Sequence, residues 1–89
     1  MKRKIRSEEE KTILKKIGCN LKAERVRKNL SAVDVASLTG LTTATIHYYE
    51  KGELAPSAIM IEKLADIYNC NINDFFIPRN PTNCIKNER

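Results

Sequence analysis

Residues 31–52 read SAVDVASLTGLTTATIHYYEKG, and two short helices with a tight turn between them account for every residue in the stretch. Ser31 is placed to cap the first helix, because its hydroxyl can accept from N–H groups that a helix start leaves unpaired. Asp34, three residues on, resembles the acidic half of a capping box, whose usual partner is Glu or Gln. Val35, Ala36 and Thr39 share one face at helical spacing. Gly40 falls where a left-handed residue would end that helix. Thr42 is a second N-cap, and Ile46 and Tyr49 then point inward together.

Helix, glycine turn, helix is the outline of a helix-turn-helix, whose second helix enters the major groove of DNA. The flanks read as its support. Ser7-Glu8-Glu9-Glu10 is a helix start, with Ser7 as cap and Glu10 completing a capping box. Ile13, Leu14, Ile17 and Leu21 continue at helical spacing. Gly18 interrupts at about 1 kcal/mol against alanine, so one bent helix or two helices meeting there both fit. Residues 21–28 form a helix with Leu21 and Arg25 inward, closed by Asn29 in a left-handed conformation, and Leu30 packs beneath the next start. Lys51 to Pro56 is a loop. Ser57 caps residues 58–68, with Ala58, Ile61, Leu64, Ala65 and Tyr68 as the buried stripe. Asn69 ends that helix, Asn73 caps a last turn over 74–76, and Ile72 and Phe75 close the core. The fold class is all-α: five short helices plus an N-terminal helical extension. The expected division is a basic, partly helical extension over 1–16, the domain over 17–77 and a flexible tail over 78–89.

Composition narrows the classes. Eighty-nine residues suffice for one small core. No apolar run approaches 18 residues, so no membrane span is expected. MKRKIR is basic but no apolar region follows it, so a secretory signal is not expected and the cytoplasm is the default. Cys19, Cys70 and Cys84 are odd in number and widely spaced, and His47 is the one histidine. Neither a metal site nor a catalytic constellation fits that inventory, so neither enzyme activity nor a cofactor is expected. Net charge is +5, unevenly placed: residues 1–28 hold eleven of sixteen Lys and Arg but four of eleven acids. A basic end of that kind suits a polyanion, with a solubilising tail as the alternative.

With these landmarks in order, residues 21–76 resemble the lambda-repressor-like domain of the Xre family. The landmarks are Arg25, Leu30-Ser31, Ala36, Gly40, Ile46, Glu50, Gly52, Pro56, Lys63-Leu64-Ala65 and Asp74-Phe75-Phe76. TIHYYEKG also resembles the third-helix motif of mercury-resistance-type regulators. The flanks decide for the Xre pattern: a full helix precedes the motif, and IEKLADIYNCNINDFF follows it. The resemblance implies a five-helix, lambda-repressor-like DNA-binding domain that acts as a homodimer on palindromic double-stranded DNA. It also implies an ion pair between Arg25 and Glu50, whereas plain helical spacing leaves Arg25 as an exposed phosphate contact.

Six residues are the expected DNA contacts. Thr43 can donate or accept at a base edge and Ala44 can pack on a thymine methyl. Thr42 suits a phosphate, His47 and Tyr48 lie one turn on, and Lys51 is a phosphate anchor. Two departures from the family pattern stand out. Ala32 occupies a position where many relatives carry Gln, and no Arg or Lys lies between Thr42 and Glu50. Lys2, Arg3, Lys4 and Arg6 could compensate as an arm on the DNA. Val33, Leu38, Ile59 and Met60 fall off the core stripes. Either the N-terminal helix covers them or, with Phe76 and Ile77, they form a dimer or partner surface. The expected function is a transcriptional regulator, a repressor in the first instance. The alternative is an antitoxin-type or adaptor protein whose main partner is another protein. A general coating protein for nucleic acid is disfavoured by the few aromatics available for stacking.

Overall fold

Every helical element opens on a side-chain oxygen. The computed structural model describes residues 7–78, and the basic residues 2–6 and the segment 79–89 lie outside it. Ser7 caps α1 (Glu8–Arg27), Ser31 caps α2 (Ala32–Thr39), Thr42 caps α3 (Thr43–Lys51) and Ser57 caps α4 (Ala58–Ile67). Asn71 caps a terminal 3-10 helix, Ile72–Phe76. Ser7 and Ser31 form full capping boxes with Glu10 and Asp34, so the shorter Asp34 side chain does reach back to the Ser31 N–H, at 2.9 Å. Those hydrogen bonds to Ser31 hold the Asp34 carboxyl below the usual carboxylate range.

The ends are equally uniform. Asn29, Gly40, Gly52 and Asn69 all have positive φ. Across each, the following N–H bonds back to a carbonyl five residues earlier: Leu30 to Arg25, Leu41 to Ala36, Glu53 to Tyr48 and Cys70 to Ala65. This closure satisfies carbonyls that a helix end leaves open, and turns the chain sharply enough for short helices to stack.

Helices α2 and α3 form the helix-turn-helix, with α1 laid across α3 and the 3-10 helix and with α4 against α2. Leu21, Val35, Ile46, Leu64, Tyr68 and Phe75 are the most deeply buried large residues of the core, joined by Tyr49, Ile61 and small residues of α2 and α4. Tyr68 and Phe75 meet edge to face, ring centroids 6.3 Å apart, which ties α4 to the 3-10 helix. Among the described residues there is no strand, and no helix is long and apolar enough to cross a membrane.

Several expectations are corrected. Gly18 does not divide the N-terminal helix: α1 runs unbroken over 20 residues, about 30 Å, and passes through the expected 16/17 boundary. The cap of the last turn is Asn71, whose side-chain oxygen accepts from the Asn73 N–H, so Asn73 is the donor and not the cap. Ile72 is exposed, because a 3-10 turn starting two residues earlier directs only Phe75 into the core. Ala58, in the first turn of α4, lies on the solvent side of its stripe. Met60 is half-buried against the core. Val33, Leu38 and Ile59 remain exposed, so α1 does not cover them. Ile13 is also exposed, which leaves Leu14 as the buried residue of that turn.

Candidate nucleic-acid interface

The geometry of α3 follows from its two ends. At the first, the Thr42 hydroxyl accepts from the Thr45 N–H at 3.1 Å and lies 2.9 Å from the Thr45 hydroxyl. Thr45 is thereby tied to the cap. At the other end, Gly52 turns left-handed and releases Lys51 to solvent. Between the ends the faces separate at helical spacing. Ile46, Tyr49 and Glu50 are buried, whereas Ala44, His47 and Tyr48 are exposed and Thr43 is half-buried. Tyr48 keeps 48% of its surface and Tyr49 is core, so the adjacent tyrosines divide between the two faces. The six expected contacts, Thr42, Thr43, Ala44, His47, Tyr48 and Lys51, all lie on α3 or its cap, and all but the half-buried Thr43 are exposed.

Arg25 and Glu50 lie behind this face. Arg25 Nε donates to Glu50 Oε2 at 2.6 Å and Nη2 to Oε1 at 3.1 Å, while Nη1 donates to the Leu30 carbonyl at 2.9 Å. The two side chains are 12% and 5% exposed, so Arg25 is directed into the domain and is not a surface cation. The Glu50 hydrogen bond raises the Arg25 pKa against the opposing effect of burial. Nearby burial, followed by the Glu50 charge, pushes the Tyr68 phenol well above its usual value. The pair links α1 to α3 and, through Leu30, to the turn before α2.

Sequence reasoning missed three supports of the site. A Cβ on Gly18 would lie 2.5 Å from the Glu50 carbonyl oxygen and 2.6 Å from that of Tyr49, so α1 and α3 touch backbone to backbone. On Gly52 it would meet the Lys15 Cα and N at 3.0 Å. The third is Asn20, fully buried, whose Nδ2 donates at 2.8 Å to both the Phe75 and Ile77 carbonyls. An Asn three residues beyond Ile17, inside an apolar stripe, is a signal that could have marked it. Glu24 is likewise buried and pairs with exposed Arg27 at 2.6 Å. Ala32 packs inward, which leaves the start of α2 without the polar side chain many Xre relatives carry there. Among the described residues, no three His, Cys, Asp or Glu converge as a metal site would require.

Comparison with known proteins agrees with this architecture. The helix-turn-helix family HTH_3 matches residues 21–75. An uncharacterized HTH-type transcriptional regulator of Archaeoglobus fulgidus is 33% identical over 57 residues, which are 64% of this chain and 80% of that protein. The crystal structure of the DNA-binding domain of BldD superposes with a TM-score of 0.68 at 23% identity, over 75% of this chain and 97% of that one. An HTH_3 family transcriptional regulator from Vibrio cholerae superposes with a TM-score of 0.68 at 28% identity, over 75% of this chain but 38% of that longer one. The family match begins at Leu21, so the first thirteen residues of α1 precede it. From Leu21 onward, the chain belongs to the HTH_3 family of helix-turn-helix domains.

Proposed function

We propose that this protein is a sequence-specific DNA-binding transcriptional regulator, acting as a homodimeric repressor on a palindromic operator. The observation that carries the reading is the outward face of α3. Ala44, His47, Tyr48 and Lys51 are exposed on a helix whose Ile46 and Tyr49 enter the core, whose Thr45 is tied to the cap and whose Glu50 is held in the ion pair. The names of the relatives, transcriptional regulators and a DNA-binding domain, support the same reading. In it, Thr43 and Ala44 enter the major groove first and Tyr48 and His47 read or brace one turn later. Thr42 and Lys51 hold the phosphates on either side. Lys2, Arg3, Lys4 and Arg6 add an arm.

Selection of bound sequences from random duplex DNA at physiological salt tests this directly. A palindromic consensus is expected, and Tyr48→Ala should alter it at defined positions without loss of folding. Absence of enrichment refutes sequence-specific binding. Deleting residues 2–6 should flatten the slope of log affinity against log salt if the arm contributes.

A second reading is an antitoxin-type or adaptor protein. It is favoured by the exposed apolar residues Ile59, Ile72, Phe76 and Ile77, of which Ile59 is 72% exposed. Co-purification of a tight heteromer, with no consensus from the protein alone, would decide for it.

A further inference from the structure

Helix α1 carries three lysines on one line. Lys11, Lys15 and Lys22 are spaced by four and seven residues and therefore share an edge of the helix. The stripe Leu14, Gly18, Leu21 and Arg25 beside them faces α3, and the 3-10 helix lies on its other side, against Asn20. The lysine edge thus flanks the α1–α3 contact. Lys15 and Lys11 are both exposed, and the Lys11 side chain retains 53% of its surface.

Gly52 fixes where this edge meets α3. The backbone of Lys15 and its Cγ come close enough that a Cβ on Gly52 would lie 3.0–3.1 Å from them. Lys15 therefore packs its stem directly beside the residue that follows Lys51, and its ammonium extends into solvent from there. Lys51, Lys15 and Lys11 make a cationic track that leaves the C-terminal end of α3 and continues along α1. Two carboxylates adjoin it. Glu8 pairs with Lys11 at 3.5 Å, a surface contact of little strength, and Glu53 follows Gly52.

The length of α3 sets where this track would meet a duplex. A nine-residue helix is about 13 Å long, close to the ~12 Å width of the major groove. With Thr43 and Ala44 inside the groove, the Lys51 end reaches the wall, where phosphates run past it. We infer that Lys15 and Lys11, on the part of α1 that precedes the family match, extend the interface as contacts to the phosphate backbone of one duplex strand. This rests on the DNA-binding reading above. It supplies cations that the outward face of α3 lacks, from residues already held against its end.

The test is a salt titration of the full chain on its selected duplex, comparing Lys11→Gln/Lys15→Gln with wild type. Losing two phosphate contacts should lower the slope of log affinity against log salt by ~1.8, so the wild-type advantage shrinks about twelvefold between 50 and 200 mM salt. The selected consensus should not change, because phosphate contacts carry no base information. Lys63→Gln on α4 removes a charge elsewhere and should leave the slope intact; Lys11→Arg/Lys15→Arg should retain it. An unchanged slope in the double Gln variant, or an equal loss in Lys63→Gln, overturns the inference while leaving the regulator reading in place. If wild type binds no duplex, the reading fails and the inference with it.

Discussion

Arg25→Met is the most informative single perturbation of this fold. It removes two hydrogen bonds to Glu50 and one to the Leu30 carbonyl. It also strands the Glu50 carboxylate in a position only 5% exposed. Breaking a buried pair from one side costs about 3–5 kcal/mol, because the surviving charge is left without its partner. A domain of this size has roughly 4–10 kcal/mol in total, so the variant should be marginal and is best measured by urea unfolding in the cold. Arg25→Met/Glu50→Leu removes both charges and substitutes apolar volume, so it should recover most of the loss and come within about 1–2 kcal/mol of wild type. Glu50→Gln, which keeps the shape and loses the charge, should fall between. The double variant separates two accounts of the pair. If Arg25 matters mainly by neutralising a buried carboxylate, removal of both charges rescues the fold. If its three hydrogen bonds are themselves the essential link, the double variant is as unstable as the single. A loss below about 1 kcal/mol for Arg25→Met would refute the burial argument altogether.

Gly18→Ala gains about 1 kcal/mol of helix propensity, yet its methyl would press on backbone oxygens that cannot rotate away, so a net destabilisation on the order of 2 kcal/mol is expected. A higher melting temperature would show that the helices can part cheaply. Asn20→Ala should cost about 2 kcal/mol or more by leaving the Phe75 and Ile77 carbonyls without their donor. Hydrogen exchange should then accelerate over residues 75–77 before it does in α2. Tyr68 holds its proton to higher pH when folded than when unfolded. Its contribution to stability is therefore full below the unfolded value near 10 and is lost above it, at up to about 1.4 kcal/mol per pH unit. The urea midpoint of wild type should fall relative to that of Tyr68→Phe as pH rises from 9 to 11, and parallel curves would contradict this.

What could be read from the chain depended on the range of the interaction. Caps at Ser7, Ser31, Thr42 and Ser57 and left-handed ends at Asn29, Gly40, Gly52 and Asn69 are decided within a few residues, and the helix boundaries followed from them closely. Faces followed from period, which separates Tyr48 from Tyr49 without any knowledge of the fold. The last turn was misplaced by local ambiguity, since Asn71 and Asn73 are both acceptable caps and only the burial of Phe75 chooses between them. Gly18 was read as an interruption because propensity describes an isolated helix. Its meaning lies in the carbonyls of residues 49 and 50, some thirty positions away, and no local rule contains them. The Arg25–Glu50 contact is also long-range. Helical spacing alone leaves Arg25 either inward or as an exposed phosphate contact, and the resemblance to the Xre pattern pairs it with Glu50.

These long-range contacts fall on one part of the molecule. Gly18 touches the carbonyls of the last turn of α3, Arg25 holds Glu50 in the same turn, and Lys15 lies against Gly52 just beyond it. All three come from α1, and the first thirteen residues of that helix precede the segment shared with the family. The opposite end of α3 is closed by its own cap, Thr42 with Thr45. A helix fixed from behind at its C-terminal turn can present its first turn without steric competition from its supports. It also makes the direction of α3 depend on α1. A change in how residues 8–18 pack, through substitution at Gly18 or at Leu14, would therefore tilt α3 without altering any residue on its exposed face. Amide chemical shifts along Thr43–Lys51 in Gly18→Ala would report such a tilt directly, largest at residues 49–51 and declining toward Thr43. Uniform or absent shifts would mean that α3 takes its direction from the core alone.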